Sequence, residues 1–395
     1  MNSQANTVTA SAQASRPAFP FLDLKAQFEG IRGEVAAAVM KVLESQHFIL
    51  GPEVDAFEQE VASLTGCPYA IACASGSDAL VLALLALELR PGDEVITTPF
   101  TFVASAGSIA RVGARPVFVD IDDDTFNISP EEVEKAITPR TRAILPVHLF
   151  GLPADMSKIL DIAASHKLPI IEDAAQAIGS RHGGRAVGSL GTMGCFSFFP
   201  SKNLGGAGDG GLISTSDASL ADRLRLLRVH GARKKYEYEL LGMNSRLDAL
   251  QAAILRVKLR HLEGWTSSRR SNAARYRELF KEFSVQTALK APAEPAGQKH
   301  VYNQFTIRSR NRNALREYLA QRGIATEIYY PKPLHLQRAF AFLGHKEGDF
   351  PVSENLSLEV LSLPIYPELK EEQQRAVVAA IAGFNNESGR MIIHA

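Results

Sequence analysis

Cysteine is scarce in these 395 residues: there are three, Cys67, Cys73 and Cys195. Their spacing matches no zinc-ligand pattern, and an odd number completes no disulfide set, so the expected setting is reducing and cytoplasmic. An excess of one charge is also missing, since 43 Lys and Arg balance 43 Asp and Glu. That balance removes the electrostatic reason to expect nucleic acid or an anionic membrane as partner. The ten histidines show no H-x-x-x-H pair or other zinc-like grouping, so no metal is expected. Long hydrophobic runs are absent as well. The most apolar stretch, Ala79 to Leu87, has about nine residues, against the roughly 20 that a membrane helix needs. Met1 to about Pro20 is rich in Ala, Ser, Gln and Asn, without a basic start or an apolar core. It is expected to be a mobile arm (residues 1–20) rather than a signal peptide.

What is present is an ordinary globular composition with two or three domains' worth of chain. Short β-rich runs at Tyr69–Cys73, Glu94–Thr97, Arg115–Asp120, Arg142–Val147, Pro169–Glu172, Gly194–Phe198 and Gly211–Ser214 alternate with helical patterns. The clearest helices are Asp78–Leu89, Phe102–Val112, Pro130–Ile137 and Met156–His166. Such alternation predicts an α/β domain, a mainly parallel, doubly wound sheet of seven strands, with ligands beyond the carboxyl ends of the strands. Past residue 215 the texture changes to long amphipathic helices, Leu220–Val229 and Ser245–Arg260, the second continuing toward Phe280. A linker at Ala291–Gln298, a strand at Tyr302–Ile307, and helices at Arg312–Arg322 and Lys370–Phe384 follow. The division expected is a large domain over residues 21–260 and a smaller C-terminal α+β domain over 261–395.

Three stretches carry chemistry. In Ala74-Ser75-Gly76-Ser77-Asp78 a strand turns into an apolar helix, where backbone N–H groups and hydroxyls can cradle a phosphate; an ordinary N-cap fits the same residues. Pro169-Ile-Ile-Glu172-Asp173-Ala-Ala-Gln176 is an apolar strand ending in two acids. An Asp there could pair with a protonated ring nitrogen, bind a metal, or cap the next turn. Phe196-Ser197-Phe-Phe-Pro-Ser-Lys202-Asn-Leu-Gly-Gly sets a lysine between aromatics and glycines, surroundings that lower a lysine's pKa; an arbitrary lysine in a glycine loop is more often a surface residue. The order of cradle, strand-end acid and lysine is the informative feature.

These motifs, with Gly51-Pro-Glu-Val-Asp-Ala-Phe-Glu, Gly208-Asp-Gly-Gly and Asn244-Ser-Arg-Leu-Asp, resemble the DegT family of sugar aminotransferases from Phe21 to Phe384. The resemblance implies the fold type I of pyridoxal-phosphate (PLP) transferases and PLP as cofactor. It implies Lys202 as the Schiff-base lysine and proton shuttle, Asp173 against the pyridine nitrogen, and Gln176 on the ring-hydroxyl side. Gly76, Ser77 and Ser197 would hold the phosphate, and Phe102, in Thr101-Phe-Val-Ala-Ser, would stack on the ring. Asn244 would reach the cofactor of a neighbouring subunit, making a homodimer with shared sites. Ser77 stands where many relatives carry Thr, a change that keeps the hydroxyl.

For substrate, the resemblance implies a keto-sugar carried on a nucleotide, aminated with glutamate or glutamine as donor. Arg246, Tyr330 and His335 are candidate substrate contacts; His148, His230 and the run Arg233-Lys234-Lys235 are weaker ones. Tyr329-Tyr330 stands where some relatives acting on acidic UDP-sugars have His-Tyr, which favours a dTDP-linked 3-keto-6-deoxyhexose. A PLP-binding regulator without turnover is disfavoured by the full catalytic set and the lack of a basic stripe. A PLP-dependent sugar dehydratase is disfavoured because such relatives carry His where this chain has Lys202.

Overall fold

The computed structural model describes residues 20–393, with side chains to 387. The expected N-terminal arm, apart from Pro20, lies outside the described residues. Three helices come first: α1 (Leu24–Glu29), α2 (Arg32–Ser45) and α3 (Pro52–Thr65). Pro52 at the start of α3 forfeits no bond, because the first N–H groups of a helix have no partner inside it.

Then follow β1 (Tyr69–Cys73), α4 (Gly76–Ala86), β2 (Glu94–Thr97), α5 (Val103–Arg111), β3 (Arg115–Phe118), α6 (Pro130–Ala136), β4 (Thr141–Ile144), α7 (Met156–His166), β5 (Ile171–Asp173), β6 (Met193–Ser197) and β7 (Gly211–Thr215). Pairing gives the order β1-β7-β6-β5 in one half and β4-β2-β3 in the other. Parallel bridges Ile144↔Ile170 and Val147↔Asp173 join the halves into one seven-stranded sheet. Only β7 runs against its neighbours. The expected mainly parallel sheet is therefore present; Tyr69–Cys73 and Glu94–Thr97 keep their expected bounds, and the other five strands have an end displaced by one to three residues. Its interior strands are buried on both faces, which is why they read as apolar runs rather than as alternation. One face packs on Phe57, Phe198 and Leu255, the other on Leu80, Leu82 and Phe100.

After α8 (Ala218–Leu227) the chain does not enter a helix at Ser245 as the pattern predicts; α9 spans Ala249–Glu282. Residues 244–248 are extended instead. Asn244 bridges Val229, the Ser245 N–H donates to the Arg228 carbonyl at 3.0 Å, and Asp248 bridges Ile49. These tertiary partners outcompete the local helical preference of the segment. The early half of α9 places Leu255 and Leu262 in the large core, and the later half places Tyr276, Leu279 and Phe280 in a second core. The boundary expected near residue 260 thus falls inside a helix common to both units.

The second unit holds β8 (Phe305–Arg308), α10 (Arg312–Gln321), α11 (Pro351–Glu359), β9 (Val360–Leu363) and α12 (Glu371–Ile393), with β8 antiparallel to β9. The strand predicted from Tyr302 starts at Phe305. The reason is that 301–303 are used elsewhere: the N–H groups of Val301 and Asn303 donate to Gly151 and Phe150, at 3.1 and 2.9 Å. This splice ties the smaller unit to the carboxyl end of the sheet.

Candidate active site

The turn after β1 is built around Ser75, which caps α4 by accepting from the Asp78 N–H at 3.1 Å. Asp78 itself is turned away, accepting from the Ser245 hydroxyl at 2.8 Å. The N–H groups of Gly76 and Ser77 are left without an acceptor among the described residues. A Cβ on Gly76 would stand 2.5 Å from the Ser197 Cβ, so only glycine lets these two segments close into one cradle. Free N–H groups at the start of an eleven-residue helix, with two hydroxyls beside them, suit a phosphate.

The acids ending β5 separate by the alternation of a strand. Glu172 points into the protein, where its carboxylate accepts from the N–H groups of Gly188 (2.8 Å), Leu190 (2.8 Å) and Gly191 (2.7 Å) and contacts His148 Nε2 at 2.9 Å. His148 Nδ1 accepts from the Ala154 N–H at 3.0 Å, so the proton sits on Nε2, which donates to Glu172. His148 is fully buried and does not line the cleft. Asp173 points the other way, toward Lys202. Burial pushes its carboxyl above the usual range, while the Ser105 hydroxyl, the Ala175 amide and the Lys202 ammonium pull it down.

Lys202 hangs from a loop fixed at several points. Its own N–H donates to the Phe199 carbonyl at 2.8 Å, and Gly206 N–H donates to Phe198 at 2.8 Å. From α9, Lys258 Nζ donates to the Gly205 carbonyl at 2.6 Å and Gln251 accepts from Ala207 N–H at 2.8 Å. From the smaller unit, the Val301 carbonyl accepts from Asn203 at 2.9 Å. None of these distant partners is visible in the lysine motif. Burial pushes the Lys202 ammonium down to about 8, with Asp173 acting in the opposite sense.

These elements enclose a cleft of about 450 Å³ lined by Gly76, Ser77, Phe102, Asp173, Gln176, Ser197, Lys202 and Tyr330. Eight of the residues named from sequence therefore meet in one place. Gln176 takes the Phe150 N–H at 2.6 Å on its oxygen and donates to the Tyr330 hydroxyl at 3.4 Å. Sequence reasoning missed Gln304, which also lines the cleft and whose buried amide oxygen has no partner among the described residues. It missed Ser105 as well, whose hydroxyl donates to Asp173 at 2.7 Å.

Asn244 and Arg246 fall outside the cleft, in an adjoining cavity of about 580 Å³ that shares Ser75 and Asp209 with it. His335 is a correction: it is buried beneath Phe350 with Nε2 3.0 Å from Glu354, and it does not line the cleft. Arg233 is paired with both Asp222 and Glu239 at 2.8 Å, which occupies its guanidinium, and His230 is exposed away from the cleft. A larger open depression of about 870 Å³ beside α3 lacks the chemistry of a cofactor site. Its charged pair, Glu58 and Arg228, is spent on the Ala72 backbone at the free edge of β1. Among the described residues no group of three or more His, Cys, Asp or Glu could hold a metal, and no helix is long and apolar enough to cross a membrane.

The cleft suits pyridoxal phosphate in each of its parts. The glycine-dependent cradle matches the phosphate, the buried carboxylate matches a protonated ring nitrogen, the exposed Phe102 ring offers a stacking face, and a half-buried lysine lines the same cleft as the carboxylate. The sequence profile of the DegT/DnrJ/EryC1/StrS aminotransferase family matches residues 29–382. The chain belongs to this family. Among its family relatives, a pleiotropic regulatory protein of Geobacillus stearothermophilus is 53% identical over 92% of this chain and 98% of its own. The UDP-N-acetyl-3-dehydro-alpha-D-glucosamine 3-aminotransferase of Acidithiobacillus ferrooxidans is 50% identical over 92% and 97%. The dTDP-3-amino-3,4,6-trideoxy-alpha-D-glucose transaminase of Streptomyces venezuelae is 45% identical over 94% and 97%. Among solved family folds, S. venezuelae DesV in complex with a ketimine intermediate superposes with a TM-score of 0.90 at 45% identity, covering 93% of this chain and 98% of that one. Bacillus subtilis NtdA with bound cofactor PMP gives 0.85 at 32% identity, covering 94% and 87%.

Proposed function

We propose that this aminotransferase converts a 3-keto hexose carried on a nucleoside diphosphate into the 3-amino sugar, with glutamate or glutamine as donor. The cofactor is pyridoxal phosphate, which when bound supplies an electron sink for moving an amino group between carbon skeletons. The observation that carries the reading is that Lys202 and Asp173 line one cleft together with the Gly76–Ser77 cradle. Gly76, Ser77 and Ser197 would hold the cofactor's phosphate, Phe102 would offer a face to its ring, Gln176 would lie on the ring-hydroxyl side, and Asp173 would neutralise a protonated ring nitrogen. Lys202 would hold the cofactor and carry a proton to or from the substrate; an amine near neutrality is poised for both tasks.

The substrate reading rests on what lines the cleft. Among the described residues that line it there is no arginine to clamp a carboxylate bidentately, so the donor's carboxylate needs a cation from beyond this wall, for which Arg246 in the adjoining cavity is the candidate. Tyr330 and the unpartnered amide of Gln304 instead offer neutral donors and acceptors suited to sugar hydroxyls. Amination at C3 is named for both enzymes of known activity among the relatives given above. The nucleotide divides them. Tyr329-Tyr330 favours a dTDP-linked 6-deoxy sugar, and the 50% identical relative favours a UDP-linked 2-acetamido sugar as a second reading. The 53% identical relative's name keeps open a regulator that binds the cofactor without turnover.

The test is to incubate purified protein with glutamate and a panel of dTDP-, UDP- and GDP-linked keto-sugars, identifying any amino sugar by mass spectrometry. A 3-amino product is expected, and kcat/KM should be far lower for the free keto-sugar, because remote binding groups help drive the chemical step. Equal efficiency on the free sugar would remove the nucleotide from the proposal. Cofactor binding without turnover on any sugar would favour the regulator.

A further inference from the structure

The floor of the cleft contains a buried hydrogen-bond chain that the cofactor motifs do not include. The Ser105 hydroxyl lies 2.7 Å from Asp173 Oδ2, and the Thr101 hydroxyl lies 3.0 Å from that of Ser105. All three residues are buried. They come together where the extended N-cap Phe102 turns the chain into α5, with Thr101 just before it and Ser105 in the first turn.

Counting protons gives the chain a direction. An ionised carboxylate only accepts, so the single hydroxyl proton of Ser105 is spent on Asp173. The contact between the two hydroxyls must then be donated by Thr101. On the other oxygen, Asp173 Oδ1 accepts from the Ala175 N–H at 3.2 Å. Each carboxylate oxygen thus has one protein donor, which fixes the plane of the group and leaves one lone-pair direction on each for a cation in the cleft. We propose that Thr101 and Ser105 are positioning residues that keep Asp173 ionised and aimed, and through it keep the cofactor's ring nitrogen protonated.

The inference rests on the reading that Asp173 faces that nitrogen. Burial alone would favour a neutral Asp173, and the chain opposes it, as does Lys202 across the cleft. The other titratable groups facing Asp173 are His148 behind it, Cys195 on β6 and Tyr330 at the cleft wall. His148 is neutral by its hydrogen bonds, and Cys195 and Tyr330 are held in their neutral forms by burial.

The test follows the ring nitrogen itself, in holoenzyme reconstituted with PLP carrying ¹⁵N in the ring and titrated by NMR. Removing a hydrogen bond to a charged group is worth on the order of one pH unit. Ser105→Ala raises the proton affinity of the carboxylate and should therefore move the shared proton from the ring nitrogen toward Asp173, read as a roughly tenfold shift in the nitrogen's protonated-to-neutral ratio toward neutral. Thr101→Val, which keeps the side-chain shape, should move it in the same direction by less. Asp173→Asn should move it furthest. If Asp173→Asn shifts the titration while both hydroxyl variants match wild type, the relay is wrong and the site reading stands. If Asp173→Asn leaves it unchanged, the site reading fails and the relay falls with it. A merely structural role for Ser105 would lower stability without moving the nitrogen, so thermal melts accompany each variant.

Discussion

An ammonium kept from water is costly to hold charged, and Lys202 is displaced accordingly, down to about 8. Only the neutral amine attacks a carbonyl carbon. Covalent uptake of PLP by the apo-protein should therefore rise roughly tenfold per pH unit below that value and level off above it. An ordinary lysine would keep gaining to beyond pH 10. Borohydride trapping followed by peptide mapping measures this; label on another lysine, or a rate still climbing steeply at pH 9.5, would contradict the assignment. Lys202→Ala should lose the label while the fold survives, since the loop is held by its backbone and by Lys258 and Gln251 rather than by the lysine side chain. Asp173→Asn should still bind PLP but lower turnover on the order of 100-fold, the scale seen when one electrostatic stabiliser is removed. Near-normal turnover would take Asp173 out of the mechanism.

Among the elements, β5 shows most clearly what a sequence can and cannot convey. An apolar run ending in two acids marks a strand end, and alternation says that the acids part company, but not which one faces a ligand. The answer lies in Gly188, Leu190 and Gly191, whose N–H groups reach back to Glu172 from a turn ahead of β6. Glu172→Ala would strand three buried donors, the N–H groups of Gly188 and Leu190 and the His148 ring N–H, besides the half-buried N–H of Gly191. At about 1 kcal/mol or more for each buried donor, a loss of at least about 3 kcal/mol is expected, read as a fall in the denaturation midpoint. An unchanged midpoint would show that water replaces the carboxylate. The same limit explains the other misses. Residues 245–248 read as helix because their competing partners, Arg228 and Ile49, lie elsewhere in the chain. His335 read as a cleft residue because nothing near it in sequence announced Phe350 and Glu354 as its neighbours. The turn after β1, by contrast, was legible as a set of N–H groups and hydroxyls at a helix start, though not the close Gly76–Ser197 approach that shapes it.

For the whole molecule the open issue is whether one chain makes one site. Asn244 and Arg246 belong to no wall of their own chain's Lys202 cleft, yet they border it through Ser75 and Asp209. Large apolar side chains also stand exposed where a monomer would be expected to hide them. Phe102 and Phe199 sit at the cleft, Leu241 follows the 232–238 hairpin that carries Tyr236 and Tyr238, and Met40 and Leu43 lie on α2. A second copy of the chain would cover such surfaces, and an obligate interface of this kind buries upwards of roughly 2,000 Å². The expected particle is a homodimer in which Asn244 of one protomer serves the cofactor of its partner. Sedimentation at micromolar concentration tests the first half, and complementation tests the second. Lys202→Ala and Asn244→Ala should each be impaired alone. If sites are shared, a mixed dimer pairs the intact lysine of one variant with the intact asparagine of the other and so rebuilds one native site. Random exchange of equal amounts would restore about a quarter of the wild-type sites, because half of the dimers are mixed and each carries one good site of two. If each chain serves only itself, mixing restores nothing, because every lysine-bearing chain still lacks its own Asn244.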